Sequence, residues 1–256
     1  MDTILPENFD LLISEAVKQF WLSRSSSTNT SQEGGRGSVI AGKNLDGFSE
    51  ILKIVALNCG LKDKSILITG KKQLTIPGFF RPSKMWDSIV IYKGMLIAAF
   101  ELKSQVGSFG NNFNNRTEES IGSAKDFWTA YREKAFDLAN SSKSANHQSK
   151  GPDLKPPFLG YLMLLEDCTD STTPVKLEGE HFNVFPEFKN SSYAKRYQIL
   201  CEKLVIEGLY SSASLLLSSR VSGLKEGIFT SPTIELSPKS LFSDFASKLL
   251  SAKELY

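Results

Sequence analysis

Asp87, Glu101 and Lys103 are the residues of this chain whose types and spacing can do chemistry together, within the stretch WDSIVIYKGMLIAAFELKS. Glu101 and Lys103 lie two apart in a β-prone run, and side chains two apart on a strand point to the same face. A carboxylate and an ammonium therefore converge on one point. Whether Asp87 joins them depends on the turn at Lys93 and Gly94. A plain two-residue turn pairs Tyr92 with Met95 and Asp87 with Phe100, which leaves Asp87 on the opposite face. A three-residue loop from Lys93 to Met95, or one bulge with Gly94 left-handed, sets Asp87 opposite Glu101 instead. The shifted register is the one expected.

That geometry suits metal-assisted hydrolysis of a phosphodiester. Magnesium takes oxygen ligands, usually one or two of them carboxylates, and leaves positions for water and a phosphate oxygen. Asp87 and Glu101 would supply the carboxylates, and Lys103 would orient or help deprotonate the attacking, metal-activated water. Alone, the three groups carry one net negative charge and repel phosphate; a divalent cation reverses the sign, so metal dependence is expected to be absolute. An acid upstream of Glu-x-Lys is common by chance, and charges at strand ends are mostly solvated edges. The hairpin context favours the chemical reading.

The elements that must position this hairpin are legible by period. Phe9, Leu12, Ile13, Ala16, Val17 and Phe20 recur at helical spacing, ahead of a polar run at residues 23–37. A second helix begins at Asn44 with Leu45, Phe48, Ile51, Leu52 and Val55 on one side, Asp46 and Glu50 on another, and a glycine cap at Gly60. Strands follow at residues 65–69, 88–92 and 95–102, then a helix at 118–138, a polar insert at 140–157 and a buried strand at 158–165. Residues 193–219 read as one long helix that Gly208 could interrupt, a candidate dimer element, and residues 241–250 as a shorter helix. The expected fold is a single α/β domain over residues 1–256, a mixed central sheet flanked by helices, with polar loops at about 23–38 and 140–157.

Composition narrows the function. The chain has 41% hydrophobic and 23% charged residues, an ordinary globular balance. Cys59, Cys168 and Cys201 form no CxxC pair, so neither a disulfide framework nor a zinc ribbon is indicated. There are 2 histidines, His147 in polar sequence and His181 expected at a core edge, which argues against histidine-based hydrolysis. Gly34, Gly35 and Gly37 fit no phosphate-binding spacing. The start shows no signal-peptide pattern and no run is apolar enough to span a bilayer, so a cytoplasmic protein is expected. A net charge of +2 decides nothing about nucleic acid.

The triplet matches the PD-(D/E)xK nuclease motif, and the chain resembles the XhoI family of type II restriction endonucleases over most of its length. The resemblance is carried by VKQFW at residues 17–21, AGKNLDGF at 41–48, LTIPGFFRPSKMWD at 74–87 and AAFELKSQVGSFGNNFNNRTEESIG at 98–122. It continues through FPEFKNSSYAKRY at 185–197 and LCEKLVIEGLYSSASLLLS at 200–218. One departure is Trp86, where the motif's name has proline. The resemblance implies a restriction-endonuclease-like fold and a homodimeric, Mg2+-dependent enzyme that cuts both strands of double-stranded DNA at a palindrome. In that family the site is 5′-CTCGAG-3′, cut to leave 5′ overhangs, and a cognate DNA methyltransferase of the same restriction-modification system protects the host. It also implies a further metal-site carboxylate on the helix before the sheet, Asp46, with Glu50 one turn later as the competitor.

The segment GSFGNNFNNR at residues 107–116 reads as a loop by composition. In a nuclease it would leave the catalytic strand just after Lys103 and reach a groove, where asparagine pairs with adenine and arginine with guanine. Asn111, Asn112, Asn114, Asn115 and Arg116 are the candidate DNA-binding residues. Arg81 and Lys84, before Asp87, are candidate phosphate contacts together with Lys71, Lys72, Lys189, Lys195 and Arg196. Two rival readings are a PD-(D/E)xK nuclease of repair or recombination that cuts by DNA structure, and a non-catalytic DNA-binding module.

Overall fold

The hairpin that bears the triplet lies in the middle of a five-stranded mixed sheet, seen in a computed structural model that describes residues 4–27, 45–136, 155–177 and 181–256. In chain order the elements are α1 (Phe9–Ser27), α2 (Asp46–Asn58), β1 (Ile66–Leu67), β2 (Thr75–Ile76), β3 (Lys84–Met85), β4 (Ser88–Tyr92), β5 (Met95–Gln105) and α3 (Phe109–Arg132). They continue with β6 (Phe158–Glu166), α4 (Thr169–Thr172), α5 (Tyr193–Ile206), β7 (Ser212–Ser218), α6 (Arg220–Glu226) and α7 (Pro238–Leu255). The sheet order is β1-β4-β5-β6-β7, antiparallel from β1 to β5 and parallel from β5 to β7, while β2 and β3 form a separate small hairpin. Helices α3 and α5 make the two parallel crossovers that such strands require.

Each face of the sheet carries its own core. On one, Ile13, Val17 and Phe20 of α1, Phe48, Leu52 and Val55 of α2 and Phe242, Phe245 and Leu249 of α7 pack on Val90, Phe100, Leu102 and Leu164. On the other, Phe109, Ala124 and Phe127 of α3 and Tyr197, Cys201 and Leu204 of α5 pack on Ile89, Ala99, Tyr161, Met163 and Leu215. Strand β6 is buried on both faces from Phe158 to Leu165 and is therefore apolar without alternation. Gly160 is needed there: a Cβ would come within 2.2 Å of the Phe100 ring.

Three expectations are corrected. Residues 193–219 are not one helix; α5 stops at Ile206, Gly208 takes φ +65° and donates to Val205 O, and the chain returns as strand β7. Its apolar stripe faces the sheet, so core packing accounts for it. Residues 107–116 are not a loop: α3 starts at Phe109, because Phe109 and Phe113, one turn apart, pack on Tyr193 and Tyr197, and this burial overrides the weak helix propensity of asparagine. His181 is exposed rather than set at a core edge, as are Phe182 and Phe185 beside it. Of the polar stretches, residues 23–27 continue α1, residues 155–157 lead into β6, and residues 28–38 and 140–154, with His147, lie outside the described residues. The free cysteines are Cys59, Cys168 and Cys201.

Candidate active site

The register of the hairpin is the shifted one, reached by a bulge away from the turn. Tyr92 pairs with Met95 around a tight two-residue turn in which Lys93 and Gly94 have φ of 49° and 81°. The slip comes between Val90 and Ile91, where β5 carries one extra residue. Ile97 and Ala98 consequently both face the α1, α2 and α7 layer, although they are consecutive. Beyond the bulge Ser88 pairs with Phe100, which places Asp87 beside Glu101, and Asp87 N–H donates to Phe100 O at 3.1 Å.

Asp87, Glu101 and Lys103 come together there. Asp87 Oδ2 accepts from Leu102 N–H at 2.7 Å, and its other oxygen accepts no hydrogen bond from the described residues. Glu101 is 1% exposed and engages both oxygens: Oε1 meets Lys103 Nζ at 2.9 Å, and Oε2 meets Lys84 Nζ at 3.4 Å. Tyr210, buried in the segment between α5 and β7, also places its hydroxyl 3.2 Å from Glu101 Oε2. Lys103 lies 3.9 Å from Glu119 Oε2, which in turn meets Arg116 at 2.7 Å.

Burial and opposite charge pull against each other at Glu101, Lys84 and Lys103. Burial pushes Glu101 up, but Lys103 and Lys84 outweigh it and hold the carboxyl below its ordinary range. Asp87 is exposed at its edge, yet the protein packed around its carboxyl pushes it up, and the hydrogen bond from Leu102 only partly offsets this. Burial lowers the Lys84 ammonium despite Glu101, whereas for Lys103 the attraction of Glu101 overcomes burial and raises it. Tyr210 is driven well above its ordinary value by burial and then by Glu101, so it keeps its proton and donates.

Lys84 and Tyr210 are the members of this cluster that the sequence reading missed or misplaced. Lys84, expected at phosphate, has a side chain only 14% exposed, turned to Glu101 and lying 4.5 Å from the Trp86 ring centroid. Its charge cancels the net negative charge of the triplet, so repulsion of phosphate by an empty site is no longer a reason for metal dependence. Tyr210 lies too far along the chain to be found by spacing. Arg81 is held by Asp126 at 2.9 Å, and Arg196 is buried and donates to Ser191 and Val175. Asn111, Asn114 and Asn115 are exposed on the first turns of α3, Asn112 donates to Ser108 O, and Arg116 is committed to Glu119.

Two carboxylates, one with an oxygen to spare, fit a magnesium-like cation that takes one or two protein carboxylates. No group of three or more His, Cys, Asp and Glu side chains comes together among the described residues. Asp46 is exposed at the start of α2, on the helix layer across the sheet from Glu101. The far end of α2 lies by Lys253, which donates to Cys59 O, and the chain end beyond it is held by Lys93 of the hairpin turn. The far end of α2 is thus tied toward the hairpin turn. Glu50 is exposed one turn further along α2.

The family model described as "Restriction endonuclease XhoI" matches residues 24–231. The chain is 48% identical to the type II restriction enzyme BstVI of Geobacillus stearothermophilus over 79% of this chain and 85% of that one. It is 41% identical to the type II restriction enzyme XhoI of Xanthomonas vasicola over 88% of each chain. With the type II restriction enzyme AbrI of Azospirillum brasilense it shares 41% over 66% of this chain and 71% of that one. No solved structure matches it significantly. A match of this extent, over a hairpin that gathers Asp87, Glu101 and Lys103, places the chain in the XhoI family of restriction endonucleases.

Proposed function

We propose that this protein is a type II restriction endonuclease that hydrolyses both strands of double-stranded DNA at a specific palindrome, with Asp87, Glu101 and Lys103 as its catalytic residues. The pairing of Asp87 with Glu101 across the hairpin, which brings both to Lys103, carries the reading. Asp87 and Glu101 would hold the divalent cation, taken to be Mg2+, and Asp46, exposed at the start of α2, is the candidate for a further carboxylate. When bound, that ion supplies Lewis acidity at the phosphate and acidifies a water. Lys103 stays charged, orients the attacking water and faces the charge that develops on the phosphate oxygens. Glu101 fixes Lys103, and Lys84 and Tyr210 fix Glu101 from the other side.

The exposed Asn111, Asn114 and Asn115 follow the catalytic strand on α3, and a helix face fits the major groove, where asparagine reads adenine. Two copies related by a two-fold axis would address the two strands of a palindrome. The site 5′-CTCGAG-3′ with 5′ overhangs, and protection by a partner methyltransferase, belong to the same proposal. A structure-specific nuclease and a non-catalytic binding module are the alternatives that one experiment separates. A long duplex of known sequence is incubated with the protein, with and without magnesium, and the fragment ends are sequenced. Discrete, magnesium-dependent ends at CTCGAG are expected, and Asp87→Asn and Glu101→Ala are expected to lose cleavage while keeping specific binding. Discrete ends elsewhere would replace the site, ends only at branches would favour a structure-specific enzyme, and no ends would favour a binding module.

A further inference from the structure

The small hairpin β2–β3 ends in a tip, PGFFRPS at residues 77–83, that presents Phe79 and Phe80 to solvent at 53% and 66% exposure. The tip is rigid by construction. Pro77 and Pro82 fix φ on either side, and Gly78 leaves no room for a side chain, since a Cβ would lie 2.4 Å from Asp126 Oδ2 and 2.6 Å from Arg81 O. Asp126 of α3, 2% exposed, accepts from the backbone N–H groups of Phe79 and Phe80 at 2.7 Å each and from Arg81 Nε at 2.9 Å. A buried carboxylate thus holds the backbone of two phenylalanines whose rings stay outside the core, edge to face at 5.2 Å.

Charge says what covers them. Arg81 and Lys84 are paired with Asp126 and Glu101, but Lys64, Lys71 and Lys72 are exposed and no acidic residue lies between Asp63 and Asp87, which suits a polyanion and not an apolar protein face. Lys84 of the same hairpin already reaches Glu101. Phe80 is seven residues from Asp87, at most about 25 Å along an extended chain, so tip and active site meet the same stretch of duplex.

We propose that Phe79 and Phe80 form a wedge that inserts between base pairs beside the cleaved phosphate, as apolar side chains do in proteins that unstack a step. This rests on the nuclease reading above. The test uses duplexes carrying the mapped site with 2-aminopurine placed in turn at each position in and around it, with calcium in place of magnesium. With the unmodified protein, fluorescence is expected to rise at one step. Phe79→Ala/Phe80→Ala is expected to abolish the rise and weaken binding about tenfold; Phe79→Trp/Phe80→Trp, which keeps a ring to stack, is expected to retain both. An unchanged rise and affinity in the alanine variant overturns the wedge. So does loss of its dimer in sedimentation with the rise intact, which would make the tip a subunit contact. Protein that cuts DNA but raises fluorescence at no step refutes the wedge alone, whereas protein that cuts nothing refutes the nuclease reading beneath it.

Discussion

Replacing Tyr210 by phenylalanine removes one oxygen from the wall of the active site and keeps the ring that fills it. The hydroxyl has a single proton and two acceptors at 3.2 Å, Glu101 Oε2 and Ser120 O. The ionised carboxylate wins it, because a charged acceptor makes the stronger bond. A hydrogen bond to a charged group contributes about 1.5–3 kcal/mol, and since Lys84 still faces the same oxygen at 3.4 Å the lower end, about 1.5 kcal/mol, is expected here. For a chain of this size that is a fall in Tm of about 3–6 °C. If the same energy holds Glu101 in place for catalysis, the cleavage rate falls about tenfold with little change in Kd for DNA. Denaturant unfolding of Tyr210→Phe, Glu101→Ala and the double variant separates this from lost packing, because the two changes should couple by about 1 kcal/mol or more. Additive losses, or an unchanged Tm and rate, would refute the role given to Tyr210.

Asp126 is pushed up by burial but held below its ordinary range by the N–H groups of Phe79, Phe80 and Arg81 and by the Arg81 guanidinium. Its stabilising effect is therefore complete above the ordinary carboxylate pKa and lost as pH falls through the lowered one. Asp126→Asn should cost about 2–3 kcal/mol at pH 7, and the gap from the unmodified protein should narrow below about pH 4 in urea titrations. Gly160→Ala should destabilise by about 1–3 kcal/mol by crowding Phe100, and Phe100→Leu should recover part of the loss; a neutral Gly160→Ala would mean that the ring moves freely. Asn114→Ala should blur discrimination between bases in sequenced fragment ends, and an unchanged cutting pattern at full activity would exclude it as a reader.

The strands that carry the triplet were legible because β4 is a run of β-branched and aromatic residues and the site end of β5 alternates, and β6 because nine residues from Phe158 to Glu166 are nearly all apolar. Strand β7 was not, since its LLL run is buried on both faces and has no period to set it apart from the helix before it. The start of α3 was hidden by its asparagines, whose preference for loops is outweighed by aromatic contacts made with α5, far along the chain. At the site, spacing located Asp87, Glu101 and Lys103 because they share one hairpin. Lys84 had a weaker local signal, three residues before Asp87, and Tyr210 had none, because it reaches Glu101 only through the order of strands in the sheet.

The extra residue at Ile97 bears on how much change in length the hairpin tolerates. The turn and the catalytic end are separate registers, one set by Tyr92 and Met95 and the other by Ser88 and Phe100, and the bulge between them absorbs the mismatch. A chain lacking Ile97 would close into a plain ladder with Asp87 still opposite Glu101. The number of residues between the acid and Glu-x-Lys can thus drift by one at the bulge without moving a catalytic atom, whereas the same deletion between Ala98 and Glu101 would send Asp87 and Glu101 to opposite faces. A search for such sites by fixed spacing will pass over true members; pairing across the hairpin is the invariant to look for.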